Sequence, residues 1–172
     1  AGGGRARGVK ADGTIVGWGE NARGQATVPA PNNNFVAVAA GFYHSLGLKS
    51  DGTVVGWGNN SDGQLNVPAP NTNFVAVAAG MNHSVGLKAD GTIVVWGANT
   101  QGQLDVPAPN TNFIAIAAGD IHSLGLRADG TIAAWGRDVE GQLDVPAPNM
   151  DFGGLSGGVS PSSGSWTGGY PG

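Results

Sequence analysis

The stretch FVAVAAGFYHSLGLKSDGTVVGWG, residues 35–58, decides the fold, because it reads as three short extended segments separated by turn signals. An apolar run opens the stretch and ends at Gly41, and a second extended segment begins at His44. The pair Asp51-Gly52 then supplies the positive φ angles that a tight hairpin turn needs. The β-branched content and the turn spacing favour strands over helices.

The stretch recurs with a period of 39 residues, which is the signature of a repeat architecture. The recurring markers are Trp-Gly at Trp18, Trp57, Trp96 and Trp135, Asp-Gly-Thr at Asp12, Asp51, Asp90 and Asp129, Val-Pro-Ala-Pro-Asn at Val28, Val67, Val106 and Val145, and His44, His83 and His122. One such unit cannot bury two apolar faces alone, so each sheet must stack on its neighbours. We therefore predict an all-β protein of four stacked hairpin units.

Composition limits the possible functions. The 172 residues suit one domain, and the lack of cysteine excludes disulfides and thiolate metal sites. With 40% hydrophobic residues and a net charge of −4, the chain is not typical of a disordered protein. The eight scattered Lys and Arg residues argue against nucleic acid, and no apolar run is long enough to cross a bilayer. Low charge with many Asn, Ser, Thr and Gly residues favours an exported bacterial-type protein, extracellular or at the cell surface.

The two faces of the strands predict how neighbouring sheets interlock. In the second strand, His44, Leu46 and Leu48 share one face, and the small residues Ser45 and Gly47 share the other. A buried aromatic side chain removes about 150–250 Å² from water. We therefore expect the repeated tryptophans, Trp18, Trp57, Trp96 and Trp135, to dominate the packing between sheets.

The three histidines allow two interpretations. Three imidazoles arranged in a ring would suit a metal ion, but His44, His83 and His122 each share a face with apolar residues, and no His-x-x-x-His motif or carboxylate partner strengthens the metal interpretation. We favour a structural role, in which each histidine bonds to a neighbouring strand. No metal and no cofactor is predicted.

Catalysis is not predicted either. Calcium loops need several oxygen ligands along one loop, which Asp-Gly-Thr does not offer, so we interpret this triplet as a turn. Ser45 follows His44, but adjacent residues of a strand point to opposite faces, so the two do not form a nucleophile and base pair.

The repeated pattern Ala-Ala-Gly-x-x-His-Ser-Leu-Gly-Leu-Lys-x-Asp-Gly-Thr-Val-Val-x-Trp-Gly-x-Asn-x-x-Gly-Gln resembles the regulator-of-chromosome-condensation repeat over residues 8–152. It is most similar to the short bacterial version found in secreted β-lactamase-inhibitory propeller proteins. The resemblance implies β-propeller blades with binding loops on one rim, and a scaffold, inhibitor or exchange factor as the function. Such propellers usually have seven blades, whereas this chain has four units, and it lacks the insertion that nucleotide exchange factors use.

Two places differ between otherwise equal units, and these are the candidate binding surface. The first is the pair before each histidine, and the second is the loop after each Trp-Gly. The predicted partner-binding residues are Phe42, Tyr43, Met81, Asn82, Asp120 and Ile121. The resemblance implies that aromatic residues in this kind of position grip a protein; Phe42 and Tyr43 match it, and Asp120 does not. The alternative is that these side chains merely plug the centre of a ring.

The ends of the chain complement each other in phase. Ala1-Gly2 aligns with Ala40-Gly41, so the first unit lacks its opening strand, and residues 151–158 are a degenerate copy of that strand. We expect this segment to complete the first unit of its own chain or of another chain. The repeat domain then covers residues 1–158 and a Gly/Ser/Pro-rich tail covers 159–172. Because the chain has no initial Met and no signal peptide, we interpret it as a piece of a longer protein.

Three functions follow from these observations: protein binding through one rim, self-assembly by exchange of the terminal strand, and carbohydrate binding by the Asn-rich loops.

Overall fold

The computed structural model describes residues 4–155, and all regular secondary structure within that range is β-strand. This confirms the all-β prediction. The strands are β1 (Arg5–Val9), β2 (Ile15–Gly19), β3 (Phe35–Ala40), β4 (His44–Lys49), β5 (Val54–Gly58), β6 (Phe74–Ala79), β7 (His83–Lys88), β8 (Ile93–Gly97), β9 (Phe113–Ala118), β10 (His122–Arg127) and β11 (Ile132–Gly136). The predicted tail, with Trp166 and Tyr170, lies outside the described residues.

Each repeat unit forms one antiparallel sheet, which we call a blade. The first blade contains β1 and β2, and the second, third and fourth contain β3–β5, β6–β8 and β9–β11. The opening strands β3, β6 and β9 contact one another in turn and form the inner edge of the array. Each opening strand has a bulge near its start. In β3 the bulge interrupts the register between Phe35 and Ala37, and Val36 at this position is 58% exposed.

The hairpin turns use Asp and Gly differently from the prediction. Gly52 has a φ of 79°, but Asp51 does not adopt a positive φ. Instead, the Asp51 Oδ1 accepts hydrogen bonds from the Thr53 amide at 3.0 Å and from the Thr53 hydroxyl at 2.7 Å. The aspartate therefore stabilises the turn through its side chain, as in an Asx-turn. Residues 64–67 form a turn followed by irregular chain.

Apolar residues pack between blades. Leu46, Leu48 and Val54 of the second blade form a buried cluster with Phe74 and Trp96 of the third. At the next junction, Val85, Leu87 and Ile93 of the third blade pack with Phe113 and Trp135 of the fourth, so both blades offer an aliphatic face to the aromatic side chains of the blade that follows. The small residues make room for the rings: a Cβ placed on Gly86 would clash with the ring of Phe74.

A buried polar network crosses the same junctions. The Ser84 hydroxyl donates to the Gln64 carbonyl oxygen at 2.8 Å, and the Trp96 indole donates to the same oxygen at 2.9 Å. The His44 Nε2 lies 2.9 Å from the Ser84 Oγ. Because the serine proton points to Gln64, the serine oxygen accepts from His44, which places the imidazole proton on Nε2. Each internal junction is thus joined by hydrogen bonds as well as by apolar contacts.

Trp18 does not follow the other tryptophans. Trp57, Trp96 and Trp135 are 3–5% exposed, whereas Trp18 is 57% exposed. The three buried rings lie against the Gln-bearing loop of the preceding blade, and within residues 4–155 no blade precedes the first one. The expectation that all four tryptophans dominate the packing is therefore wrong for Trp18.

The described part of the predicted closing strand lies on the fourth blade. The Phe152 amide donates to the Gly130 carbonyl oxygen at 3.1 Å, as the Phe113 amide does to Gly91 at 3.0 Å. Phe152 and Leu155 pack on the cluster that contains Leu124. Among the described residues, the first blade consists of β1 and β2. Residues 156–158 of the predicted strand lie outside the described range.

Candidate functional site

The array of blades has two edges of different character. The hairpin turns at Asp12, Asp51, Asp90 and Asp129 define one edge, the turn rim. At the opposite strand ends lie the pairs 42–43, 81–82 and 120–121 and the loops 20–23, 59–62, 98–101 and 137–140, which define the variable rim. The strand directions therefore collect both sets of differing residues on one edge of the array.

Backbone hydrogen bonds fix the pairs of the variable rim to these loops. The amides of Asn59, Ala98 and Arg137 each donate, at 2.9 Å, to the carbonyl oxygen of the residue just before a histidine, which is Tyr43, Asn82 or Ile121. Bonds also connect the blades: the Phe42 amide donates to Gly80 O at 3.1 Å, and the Met81 amide donates to Asp120 O at 2.9 Å. The six predicted binding residues thus form one continuous row.

Aromatic side chains lie at one end of this row. The rings of Phe42 and Tyr43 meet edge to face, with centroids 4.5 Å apart. The guanidinium of Arg23, from the first blade, lies 5.9 Å from the centroid of Tyr43. Phe42 and Tyr43 are half-buried, so part of each ring faces solvent. This end of the rim combines apolar surface with a cation, a composition common in protein-binding patches.

The row becomes polar towards the fourth blade. Met81 and Ile121 are half-buried and apolar, while Asn82 and Asp120 each bury an oxygen, Oδ1, that has no hydrogen-bond partner in the described part of the chain. Burial raises the pKa of Asp120, because desolvation penalises the charged carboxylate. The rim therefore has an aromatic end and a carboxyl end.

The histidines lie beneath this rim and do not converge. His44 and His83 are fully buried, and their Nε2 atoms face Ser84 and Ser123 at 2.9 and 2.8 Å. Burial, and then the charge of His122, lowers the pKa of His83 to about 4, so the ring is neutral at pH 7. Within residues 4–155, no cluster of three or more His, Asp or Glu side chains is arranged to hold a metal ion.

A histidine and a serine within hydrogen-bonding distance resemble a base and its nucleophile. His44 and Ser84 have that separation, but Ser84 is fully buried and donates its proton to the Gln64 carbonyl oxygen. His44 and its sequence neighbour Ser45 contact different blades, since Ser45 donates to Gln25 O at 2.9 Å. A substrate cannot reach either serine in this arrangement.

Sequence reasoning missed the glutamine that joins each pair of blades. Gln25, Gln64 and Gln103 are 0–3% exposed, and their backbone oxygens accept the indole hydrogen bonds. Each side-chain oxygen also accepts the amide two residues earlier, as in the 2.9 Å bond from Asp62 to Gln64. The sequence signal that could have identified this role is the Gly-Gln pair, which recurs in every repeat although a hairpin model gives the glutamine no function.

One open groove lies on the turn rim, away from the variable residues. It has a volume of about 320 Å³ and is lined by Pro70, Thr72, Asn73, Lys88 and Asp90, among others. The Lys88 ammonium already donates to the carbonyl oxygens of Pro70 and Thr72 and lies 3.7 Å from the Phe74 ring centroid. The positive charge of Lys88 is therefore already bound by groups of the fold itself.

The stacked three-stranded sheets define a repeat protein of propeller-type blades. A family model described as the regulator of chromosome condensation (RCC1) repeat matches residues 35–64, 74–103 and 113–142, just over half of the chain. The chain therefore belongs to the RCC1 repeat family, as the sequence pattern suggested.

Solved structures share this fold. Prp20p from Saccharomyces cerevisiae, whose binding to Gsp1p and histones has been described, matches with a TM-score of 0.74 and 19% identity, over 87% of this chain and 47% of its own. The ectodomain of the receptor kinase CR4 from Physcomitrella patens matches with a TM-score of 0.75 and 27% identity, over 91% and 45%. The ectodomain of the receptor kinase ACR4 from Arabidopsis thaliana matches with a TM-score of 0.66 and 27% identity, over 79% of this chain and 49% of its own.

The chain therefore spans about half the length of these structures. A comparison with curated protein sequences finds no match. In the described part of the chain no helix is long and apolar enough to span a bilayer.

Proposed function

We propose that the chain is a non-enzymatic binding module that holds a protein partner on its variable rim. The observation that carries the proposal is the placement of every differing residue pair on one edge, joined by backbone hydrogen bonds into one row. A rigid framework that presents variable side chains is the usual arrangement of a binding surface.

The chemistry of the row suits a protein surface. Half-exposed rings at Phe42 and Tyr43, with Arg23 beside them, supply the residue types that contribute most binding energy at protein interfaces. The similarity of the repeat to inhibitory propellers favours a scaffold or inhibitor. The likeness to two receptor-kinase ectodomains supports our further proposal of an extracellular or cell-surface location.

The test compares two double variants of the chain. Phe42→Ala/Tyr43→Ala removes the aromatic end of the variable rim, and Val36→Ala/Val75→Ala alters exposed apolar residues on the turn rim as the matched control. A protein retained from the secreted fraction of the source organism is identified by mass spectrometry, purified and titrated by calorimetry.

We expect saturable binding that the rim variant weakens at least about 30-fold and the control leaves unchanged. Equal binding by the wild type and the rim variant overturns the proposal. Binding to a glycan array with several equivalent weak sites, and to no protein, identifies a carbohydrate-binding propeller instead.

A further inference from the structure

Five Asp-Gly pairs lie on the surface of the chain, and one of them belongs to the variable rim. Four are the hairpin turns of the repeat, and the fifth is Asp62-Gly63 in the rim loop of the second blade. An aspartate before glycine readily closes a five-membered ring on the next backbone nitrogen, because glycine has no Cβ to hinder the attack. All five aspartates are exposed, so exposure does not decide which of them reacts.

Hydrogen bonds restrain both reacting groups in the four turns. The Asp51 Oδ1 accepts from the amide and the hydroxyl of Thr53, at 3.0 and 2.7 Å, and the Gly52 amide donates to the Lys49 carbonyl oxygen at 3.0 Å. The other three turns have the same bonds, at distances of 2.7–3.0 Å. The carboxylate and the nitrogen that it would join are therefore both bound to other groups.

The same bonds keep the turn carboxyl groups ionised. Hydrogen bonds from the hydroxyl and the amide of Thr53 lower the pKa of Asp51. The equivalent threonines lower the pKa values of the other three turn aspartates, Asp12, Asp90 and Asp129. Ring closure expels a carboxyl oxygen as water, and a protonated carboxyl group loses that oxygen more readily than a carboxylate. The turn aspartates are thus poor reactants in the folded chain.

The Asp62 pair lacks this restraint. Within residues 4–155, its carboxylate accepts one hydrogen bond, from the Ser61 hydroxyl at 3.1 Å, and the Gly63 amide donates to the Asn60 carbonyl oxygen over 3.3 Å. Gln64 occupies the position that threonine has in each turn. Its Oε1 accepts from the Asp62 amide at 2.9 Å, and its Nε2 has no hydrogen-bond partner in this part of the chain. The glutamine therefore gives the carboxylate no donor.

We propose that the fold selects Asp62, among the five aspartates, as a site of spontaneous covalent modification, at which the side chain closes to a succinimide and reopens as isoaspartate. The Gly63 nitrogen attacks the Asp62 Cγ and a C–N bond forms, while the carboxyl hydroxyl leaves with the amide proton as water. A water molecule then adds to one of the two ring carbonyls and breaks its C–N bond. Opening at the main-chain carbonyl gives isoaspartate, and opening at Cγ restores aspartate.

The product changes the variable rim. In isoaspartate the main chain runs through Cβ and Cγ, so the turn between Asn60 and Gly63 becomes one atom longer. This loop is joined to the aromatic end of the rim, because the Asn59 amide donates to the Tyr43 carbonyl oxygen at 2.9 Å. Isoaspartate at position 62 should therefore alter partner binding, a consequence that rests on the proposed function, whereas the chemical conversion does not.

The fourth blade indicates a matched control. Glu140 occupies the position of Asp62, and its amide donates to the Gln142 Oε1 at 2.8 Å, as the Asp62 amide does to Gln64. A glutamate would have to close a six-membered ring, which forms more slowly. Asp62→Glu therefore keeps the charge and a residue that this loop already accommodates, and it removes the reaction.

The test incubates the folded chain in water enriched in oxygen-18 at neutral pH and follows each Asp-Gly pair by peptide mapping and mass spectrometry. Each passage through a succinimide adds one labelled oxygen, and electron-transfer fragmentation distinguishes isoaspartate from aspartate. We expect labelling at Asp62 to be at least about ten-fold faster than at any turn aspartate, because a turn must first break up to three hydrogen bonds. Asp62→Glu should abolish labelling at position 62.

Two further measurements identify the cause of the selectivity. In urea the turn bonds are lost, so all five aspartates should be labelled at similar rates. Thr53→Val removes one hydroxyl that holds Asp51 and should speed labelling there at least about three-fold, with Asp90 of the same molecule as the control.

Three results overturn the proposal: an unlabelled Asp62 in the folded chain, equal labelling of Asp62 and the turns, and the same preference for Asp62 in urea. The experiment contains no partner, so its failure is distinct from a failure of the proposed protein binding.

Discussion

Trp96 and Trp18 occupy the same position of the repeat and have opposite environments. Trp96 is 5% exposed, donates to Gln64 O at 2.9 Å and lies with its ring 6.2 Å from that of Phe74. Trp18 is 57% exposed. The difference shows that the stability of a blade resides in its junctions with neighbouring blades, because a single sheet has too few residues to bury its own aromatic side chains.

The largest expected effect tests this comparison directly. Trp96→Ala should lower the free energy of unfolding by about 3–5 kcal/mol, because it removes a buried ring and leaves a cavity. Trp18→Ala should cost the isolated chain less than about 1 kcal/mol. Urea unfolding at low protein concentration measures both values. Equal losses for the two variants would contradict the dependence on junctions.

A second effect concerns acid stability. Burial lowers the pKa of His83 to about 4, below the 6.5 of an unburied histidine, so the unfolded chain binds a proton that the folded chain does not. This contribution is fully present above pH 6.5 and is lost as the pH falls towards 4, by about 1.4 kcal/mol for each pH unit. Burial lowers the pKa of His122 in the same direction.

Urea unfolding between pH 7 and pH 4 measures this slope. The His83→Gln variant should be less stable at pH 7. Its free energy of unfolding should also change less steeply with pH, because unfolding then takes up as much as one proton fewer. The aspartates of the turns affect stability in a more acidic range. Hydrogen bonds from Thr92 lower the pKa of Asp90, so the contribution of this carboxylate to the free energy of unfolding is lost below the usual carboxyl range. An unchanged slope in His83→Gln would show that another group carries the acid sensitivity.

A third comparison uses glycines at junctions and at the open end. A Cβ on Gly80 would overlap the ring of His83 and lie 2.7 Å from the Gly119 carbonyl oxygen of the next blade. Gly80→Ala should therefore cost about 1–3 kcal/mol through overpacking. Gly8, in β1, has no atom within 4 Å of such a Cβ, and Gly8→Ala is the control. Thermal unfolding followed by circular dichroism ranks the two; similar losses would indicate that the junction is not tightly packed.

The smallest effect concerns the polar bonds of one junction. Ser84→Ala removes the donor to Gln64 O and the hydroxyl that faces His44, and should cost about 1–2 kcal/mol. Ser84→Thr keeps the hydroxyl and serves as the comparison, provided the extra methyl is accommodated in the buried site. Urea unfolding of both variants measures the difference, and a neutral Ser84→Ala would mean that packing alone holds the blades together.

Much of the fold was predictable from the repeat. The 39-residue period, the Asp-Gly turns and the large and small faces specify strands that stack, because these signals are local or recur at every unit. The placement of Phe42, Tyr43 and the other differing residues on one rim followed from strand direction. The buried role of Gln64 did not follow, because its partners, Ser84 and Trp96, are 20 and 32 residues away in the next blade.

The sequence by itself determined the four hairpin units, their order and the residue types that face each other. The tertiary structure decided which of four equal tryptophans is buried and on which blade Phe152 lies. The physical reason is that every repeat has the same local pattern, whereas burial depends on whether a neighbouring blade covers that pattern. The same repeat pattern therefore gives a core at an internal junction and an exposed tryptophan in the first blade.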